Sequence, residues 1–108
     1  MSSDYSVDEV FALRQRDEIQ LIDVRQLDEH AAGRIADTRL IELSDLAAQA
    51  ETIDRERPVV FYCRSGSRSA MAADAFSAAG YDAHNMAGGL LEWHARGLPL
   101  DPADGHVA

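Results

Sequence analysis

PVVFYCRSGSRSA, residues Pro58 to Ala70, reads as a strand that hands over to a helix through a short polar loop. Val59, Val60, Phe61 and Tyr62 form an apolar run after a proline, the pattern of a buried strand, and Cys63 closes it. The alanines that follow, with Met71 and Phe76, predict a tightly packing helix that stops at Gly80. The only cysteine of the chain thus stands where a strand meets a helix N-terminus, whose unpaired N–H groups and dipole favour an anion such as a thiolate. Arg64 and Arg68 place two positive charges in the same loop, a setting that brings a thiol from about 8.5 to between about 3.5 and 7.5. Gly66 admits a positive φ, so that successive N–H groups can face one concave nest, and Ser65, Ser67 and Ser69 offer hydroxyl donors. A lone cysteine also serves as a small hydrophobe in a core gap, so the residues alone leave two readings, a core filler or a nucleophile at an anion site.

Upstream of this stretch, Asp4 and Tyr5 suggest a very short first strand, and Ser6-Val7-Asp8-Glu9 a capping box. A helix ending near Asp17 follows, with Val7, Val10, Phe11 and Leu13 on its apolar face. Ile19 to Val24 is a strand rich in branched apolar residues, and Gln26 to Ala32 a short helix closed by Gly33. Arg25 and Glu29 are spaced to pair, while Asp23, at the strand end, is assigned a backbone hydrogen-bonding role because a carboxylate near a thiolate opposes its ionisation. Thr38 to Leu43 supplies another strand, Ser44 a cap for a helix running to about Ile53, and Asp54 to Arg57 a charged turn.

Downstream, Asp82 to Met86 is a short strand of weak β composition, and Gly88-Gly89 opens a last helix docked by Leu90, Leu91 and Trp93 and stopped by Gly97-Leu98-Pro99. The tail DPADGHVA, about 101–108, is polar and is expected to fray. Strands alternating with helices at this spacing call for an α/β fold with a parallel sheet of four or five strands, helices on both faces and right-handed crossovers. Sites in such sheets form at the C-terminal strand edge, and the strand assignment puts Cys63 there.

With 108 residues the chain reads as one domain, 1–108, large enough to bury about two thirds of its unfolded surface. One cysteine permits neither an internal disulfide nor a cysteine-based zinc site, and His30, His84, His94 and His106 lack ligand spacing, so they are assigned to the surface or to caps. The formal charge is −9, from 19 acidic against 10 basic residues, all of the latter arginine, which argues against nucleic acid as a partner. The acidic, polar start and the lack of a long apolar run argue against a signal peptide and a membrane span, and make the cytoplasm, where a thiol stays reduced, the expected compartment.

The stretch CRSGSRS after an apolar strand resembles the active-site loop of the rhodanese family, the single-domain thiosulfate sulfurtransferases. LIDVRQLDEHAAGRI, Leu21 to Ile35, is similar to the family's Asp-Val-Arg segment with its following Glu and Gly-His-Ile, and NMAGGLLEWHARGLPL, Asn85 to Leu100, to its C-terminal Gly-Gly, Trp and Gly-Leu-Pro signature. The chain departs from the family at Gly33-Arg34-Ile35-Ala36-Asp37-Thr38, where the family runs Gly-His-Ile-Pro-Gly-Ala; the departure puts the local loop shape in question, and Arg34 is a candidate extra charge at the pocket mouth.

The resemblance implies a rhodanese-like three-layer fold, structural roles for Arg25 and Glu29, and sulfur transfer with Cys63 as nucleophile and Arg64, Ser65, Gly66, Ser67 and Arg68 as the binding loop. The implied partners are a small anionic donor such as thiosulfate and an acceptor that is cyanide, a thiol or a protein, with no cofactor and no metal. Two other functions stay open. One is phosphatase or arsenate reductase chemistry, against which Arg68 stands only five positions after Cys63, one residue short of the related phosphatase loop. The other is a persulfide carrier or docking module without turnover of its own. Mercaptopyruvate and protein persulfides are further donors the same cysteine would serve, and the sequence assigns no oligomeric state.

Overall fold

The computed structural model describes residues 3–108. Five parallel strands, β1 (Ser3–Tyr5), β2 (Gln20–Asp23), β3 (Arg39–Leu40), β4 (Val59–Tyr62) and β5 (Ala83–Met86), form one sheet in the order β1-β5-β4-β2-β3. β4 lies at its centre, paired with β2 through Asp23↔Tyr62 and with β5 through Phe61↔Asn85. All four β4 residues are buried, which is why the run is continuously apolar.

Side chains of β4 alternate between two cores. Val59, Phe61 and Cys63 face Leu46, Ile53, Ala72, Ala73 and Phe76 from α3 (Leu46–Gln49), the turn after it and α4 (Ser67–Ala78). Val60 and Tyr62 face Val7, Val10, Leu90 and Trp93 from α1 (Val7–Gln15) and α5 (Gly89–Ala95). This period of two puts the cysteine on the α4 side of the sheet. Trp93 is 1% exposed and donates its indole N–H to the Pro99 carbonyl at 2.8 Å, as a core residue with a satisfied polar edge does.

The α1 capping box forms as expected, with Ser6 Oγ accepting from the Glu9 N–H and Glu9 accepting from the Ser6 N–H. The segment expected to be one helix capped by Ser44 is instead a 3₁₀ turn at Leu43–Asp45, α3, and a second 3₁₀ turn at Ala50–Thr52, with Glu42 preceding it. The short helix α2 (Leu27–Ala32), which follows the C-terminal end of β2, buries none of its residues. His84 belongs to the interior and not to the surface: it is stacked on Tyr5 at 4.3 Å and bonded to Ser3 and Asp82, tying β1 to β5.

The segment 101–108 is docked, contrary to its expected fraying: the His106 N–H donates to the Ala32 carbonyl at 3.0 Å and Val107 packs on the α1/α5 core. One branched residue among polar neighbours supplies the burial that composition alone does not reveal. No helix among the described residues is long and apolar enough to cross a membrane.

Candidate active site

Cys63 follows the last residue of β4 and is 0% exposed. The chain then turns through Arg64, Ser65 and Gly66 into α4, whose N-terminus has no capping side chain; Gly66, at φ 106°, is its N-cap. The cysteine sulfur takes the place of the cap. Sγ accepts from the Gly66 N–H at 3.0 Å and from the Ser69 hydroxyl at 3.3 Å. Burial pushes the thiol up, but the Ser69 hydroxyl and the backbone N–H groups of Ser69, Gly66 and Ser65 outweigh it, and the net shift is downward.

The Ser69 hydroxyl is also 2.6 Å from Asn85 Oδ1 on β5. Its single proton serves one acceptor at a time and turns to sulfur when sulfur carries negative charge. Asn85 is 5% exposed, and it was not singled out from the sequence, although an Asn inside a strand that buries all four of its residues is itself a signal of a polar partner.

The α5 start pins the other end of the loop. The Leu90 N–H donates to the Cys63 carbonyl at 2.9 Å and the Leu91 N–H to the Arg64 carbonyl at 3.0 Å. A Cβ on Gly89 would stand 2.5 Å from the Arg64 oxygen, so glycine at this position lets the two backbones touch.

The two loop arginines differ. Arg68 forms a two-pronged ion pair with Glu29 at 2.8 and 2.9 Å, and this contact, ahead of the Gln26 backbone bond and against burial, holds the Glu29 carboxyl down to about 2. Arg64 is exposed; its Nε donates to the Ala108 carbonyl oxygen at 3.1 Å. Ser65 and Ser67 are exposed, and Gly66 is buried against the β5–α5 connection. The structure thus brings Cys63, Ser65, Gly66 and Ser69 together around the sulfur and turns the Arg64 and Arg68 side chains to partners of their own.

Arg25 and Glu29 do not pair with each other. Arg25, fully buried, holds Asp23 at 2.7 Å and donates to the Gly33 carbonyl at 2.8 Å, while Glu29 reaches Arg68. A helical spacing argument fails here because Arg25 lies before α2 begins. Asp23 accepts from the Arg25 N–H, as expected, and also pairs with His30 at 2.9 Å. Arg25 Nη1 is the one buried side-chain nitrogen or oxygen without a partner among the described residues, and the guanidinium lies over the Tyr62 ring, 5.7 Å from its centroid.

Comparison with known proteins identifies the family. A family model described as Rhodanese-like domain matches residues 6–96. The chain is 33% identical over 94 residues to a protein of Allochromatium vinosum named Sulfurtransferase, covering 86% of this chain and 88% of that one. It is 28% identical over 88 residues to Thiosulfate sulfurtransferase GlpE of Coxiella burnetii, covering 81% and 82% respectively. Among solved structures, a rhodanese-related protein from Thermoplasma volcanium shares the fold with a TM-score of 0.85 at 24% identity, over 91% of this chain and 96% of that one. Because the matching segment runs from the capping serine of α1 to just past the end of α5, and so takes in the whole Cys63 loop, the chain belongs to the rhodanese-like domain family and has sulfurtransferases among its relatives.

Proposed function

We propose that the protein is a thiosulfate sulfurtransferase that works in two half-reactions through a persulfide on Cys63. The observation that carries this reading is the convergence of the Gly66 N–H, the Ser69 hydroxyl and the neighbouring backbone donors on the one sulfur of the chain. That array stabilises negative charge on sulfur and is already in place before reaction.

In the first half-reaction the Cys63 thiolate attacks the outer sulfur of thiosulfate. A bond forms between the two sulfurs, the bond to the sulfonate sulfur breaks, and sulfite leaves with the electron pair. The negative charge moves to the terminal persulfide sulfur, within reach of the same loop donors. In the second, cyanide or a thiolate attacks that terminal sulfur, the S–S bond breaks, and its electron pair returns Cys63 to the thiolate. Ser65, Gly66 and Ser67 line the binding loop, Arg68 shapes it from its pair with Glu29, and Arg64 supplies positive charge for the donor's sulfonate. The name of the Coxiella burnetii relative supports thiosulfate as that donor.

Steady-state kinetics with thiosulfate and cyanide test the two-step scheme: parallel double-reciprocal lines are expected, and intersecting lines would reject a persulfide intermediate.

A further inference from the structure

Residues 101–108 run from the segment after α2 to the residue that follows Cys63, held to the rest of the fold at Asp101, His106, Val107 and Ala108. Arg34 and Asp101 exchange backbone bonds, the Arg34 N–H to the Asp101 carbonyl at 3.1 Å and the Asp101 N–H to the Arg34 carbonyl at 2.7 Å, and their side chains pair at 3.3 Å. The charge that Arg34 was expected to bring to the pocket mouth is therefore spent on clasping this segment. Next the His106 N–H bonds to the Ala32 carbonyl, and a Cβ on Gly33 would run into the His106 backbone, so only glycine lets the two chains lie this close. Gly33 has an extended φ of 177°, so this close approach, and not a left-handed helix end, is what the structure asks of it. Val107 then packs into the α1/α5 core, and the Ala108 oxygen takes the Arg64 Nε–H.

An exposed arginine ordinarily samples many rotamers, and ordering it costs conformational entropy. Here one N–H of the guanidinium is anchored, and no other bond to it forms among the described residues, so both amino groups remain available for an oxyanion. We propose that residues 101–108 are a strap belonging to the active site, which positions the Arg64 guanidinium to receive the anionic group of the sulfur donor. The proposal deepens the functional reading above and rests on it for the identity of the donor. Its consequence is selectivity: a strap that orders Arg64 favours anionic over neutral reagents at Cys63.

The test measures alkylation of Cys63 by iodoacetate and by iodoacetamide, and takes the ratio of the two rates, which reports local positive charge without any sulfur transfer. Four proteins are compared: the full chain, Arg64→Ala, a chain stopped after Gly105, and the two changes combined. The ratio is expected to fall about threefold to tenfold on stopping the chain, the scale of one hydrogen bond, with no further fall when Arg64→Ala is added. Arg34→Ala keeps the chain length and both backbone bonds to Asp101, and removes the side-chain pair with Asp101 and a bond to the His30 carbonyl; it is expected to lower the ratio in the same direction and to guard against misfolding of the shortened chain. With thiosulfate, KM rises while kcat stays within about twofold. An unchanged ratio, a rise in the ratio, or a full additional fall in the combined protein overturns the strap. A coupled ratio without sulfur transfer to cyanide retains the strap and rejects the functional reading alone.

Discussion

Helices α4 and α5 both start from a glycine in the left-handed region, Gly66 at φ 106° and Gly88 at φ 82°, and neither start has a side-chain cap. At α5 the orphan N–H groups of Leu90 and Leu91 are given to the Cys63 and Arg64 carbonyls. At α4 the N–H groups of Ser65, of the N-cap Gly66 and of Ser69 in the first turn converge on the Cys63 sulfur. The local design is the same and the acceptor differs. A carbonyl makes the α5 start a structural clamp; an ionisable sulfur makes the α4 start the candidate reactive centre. α1, where the Ser6 hydroxyl takes the Glu9 N–H, shows the third outcome, a helix end capped by a side chain of its own. A helix N-terminus becomes a reactive site only when its acceptor is exchangeable and other parts of the fold hold that acceptor in line.

The largest expected effect tests the acceptor itself. Cys63→Ser keeps a small polar cap at α4 but lacks a nucleophile able to carry sulfur, so transfer to cyanide should fall by at least about a thousandfold with the melting temperature little changed. Next comes the clamp. Gly89→Ala places a Cβ 2.5 Å from the Arg64 oxygen at a φ of 63°, which should cost about 2 kcal/mol, lower the melting point by roughly 10 °C and reduce turnover with it. An unaltered melting curve would show that α5 does not hold the loop.

Ser69→Ala sharpens the α4 side. It removes the hydroxyl that does most to bring the Cys63 thiol down, so the midpoint of alkylation rate against pH should move upward, and turnover at neutral pH should fall about tenfold, the worth of a hydrogen bond to a charged group. An unmoved midpoint would make the two helix starts equivalent after all.

The smallest effect concerns Glu29. Its carboxyl titrates at about 2 in the fold against an ordinary 4.5, a depressed value, so its pair with Arg68 contributes stability that is present above about 4.5 and lost as pH falls toward 2. Glu29→Gln should flatten the fall of melting temperature across that acid window, while costing at most about 1 kcal/mol at neutral pH because the pair is partly exposed.

Much of this was legible in the sequence because local chemistry dictated it. The Val59–Tyr62 run, the Ser6/Glu9 capping box and the Cys63-to-α4 junction each depend on residues adjacent in the chain, and each stands where the sequence put it. What escaped depends on pairs that only folding brings together. Glu29 and Arg68 are 39 positions apart, so the nearer Arg25 looked like the partner, whereas Arg25 is buried on Asp23. Asn85 joins Ser69 from a different strand. The strap escaped for the same reason: the Arg34–Asp101 clasp turns a polar tail into a fixed element, and no periodicity marks it.

The most direct measurement is the intact mass of the reduced protein after incubation with thiosulfate and then with cyanide, with Cys63→Ser treated in parallel. The account predicts a gain of one sulfur atom, removed by cyanide as thiocyanate and absent from the variant. A protein that gains no mass from thiosulfate, or a variant that gains it equally, would contradict the assignment of Cys63 as the sulfur carrier.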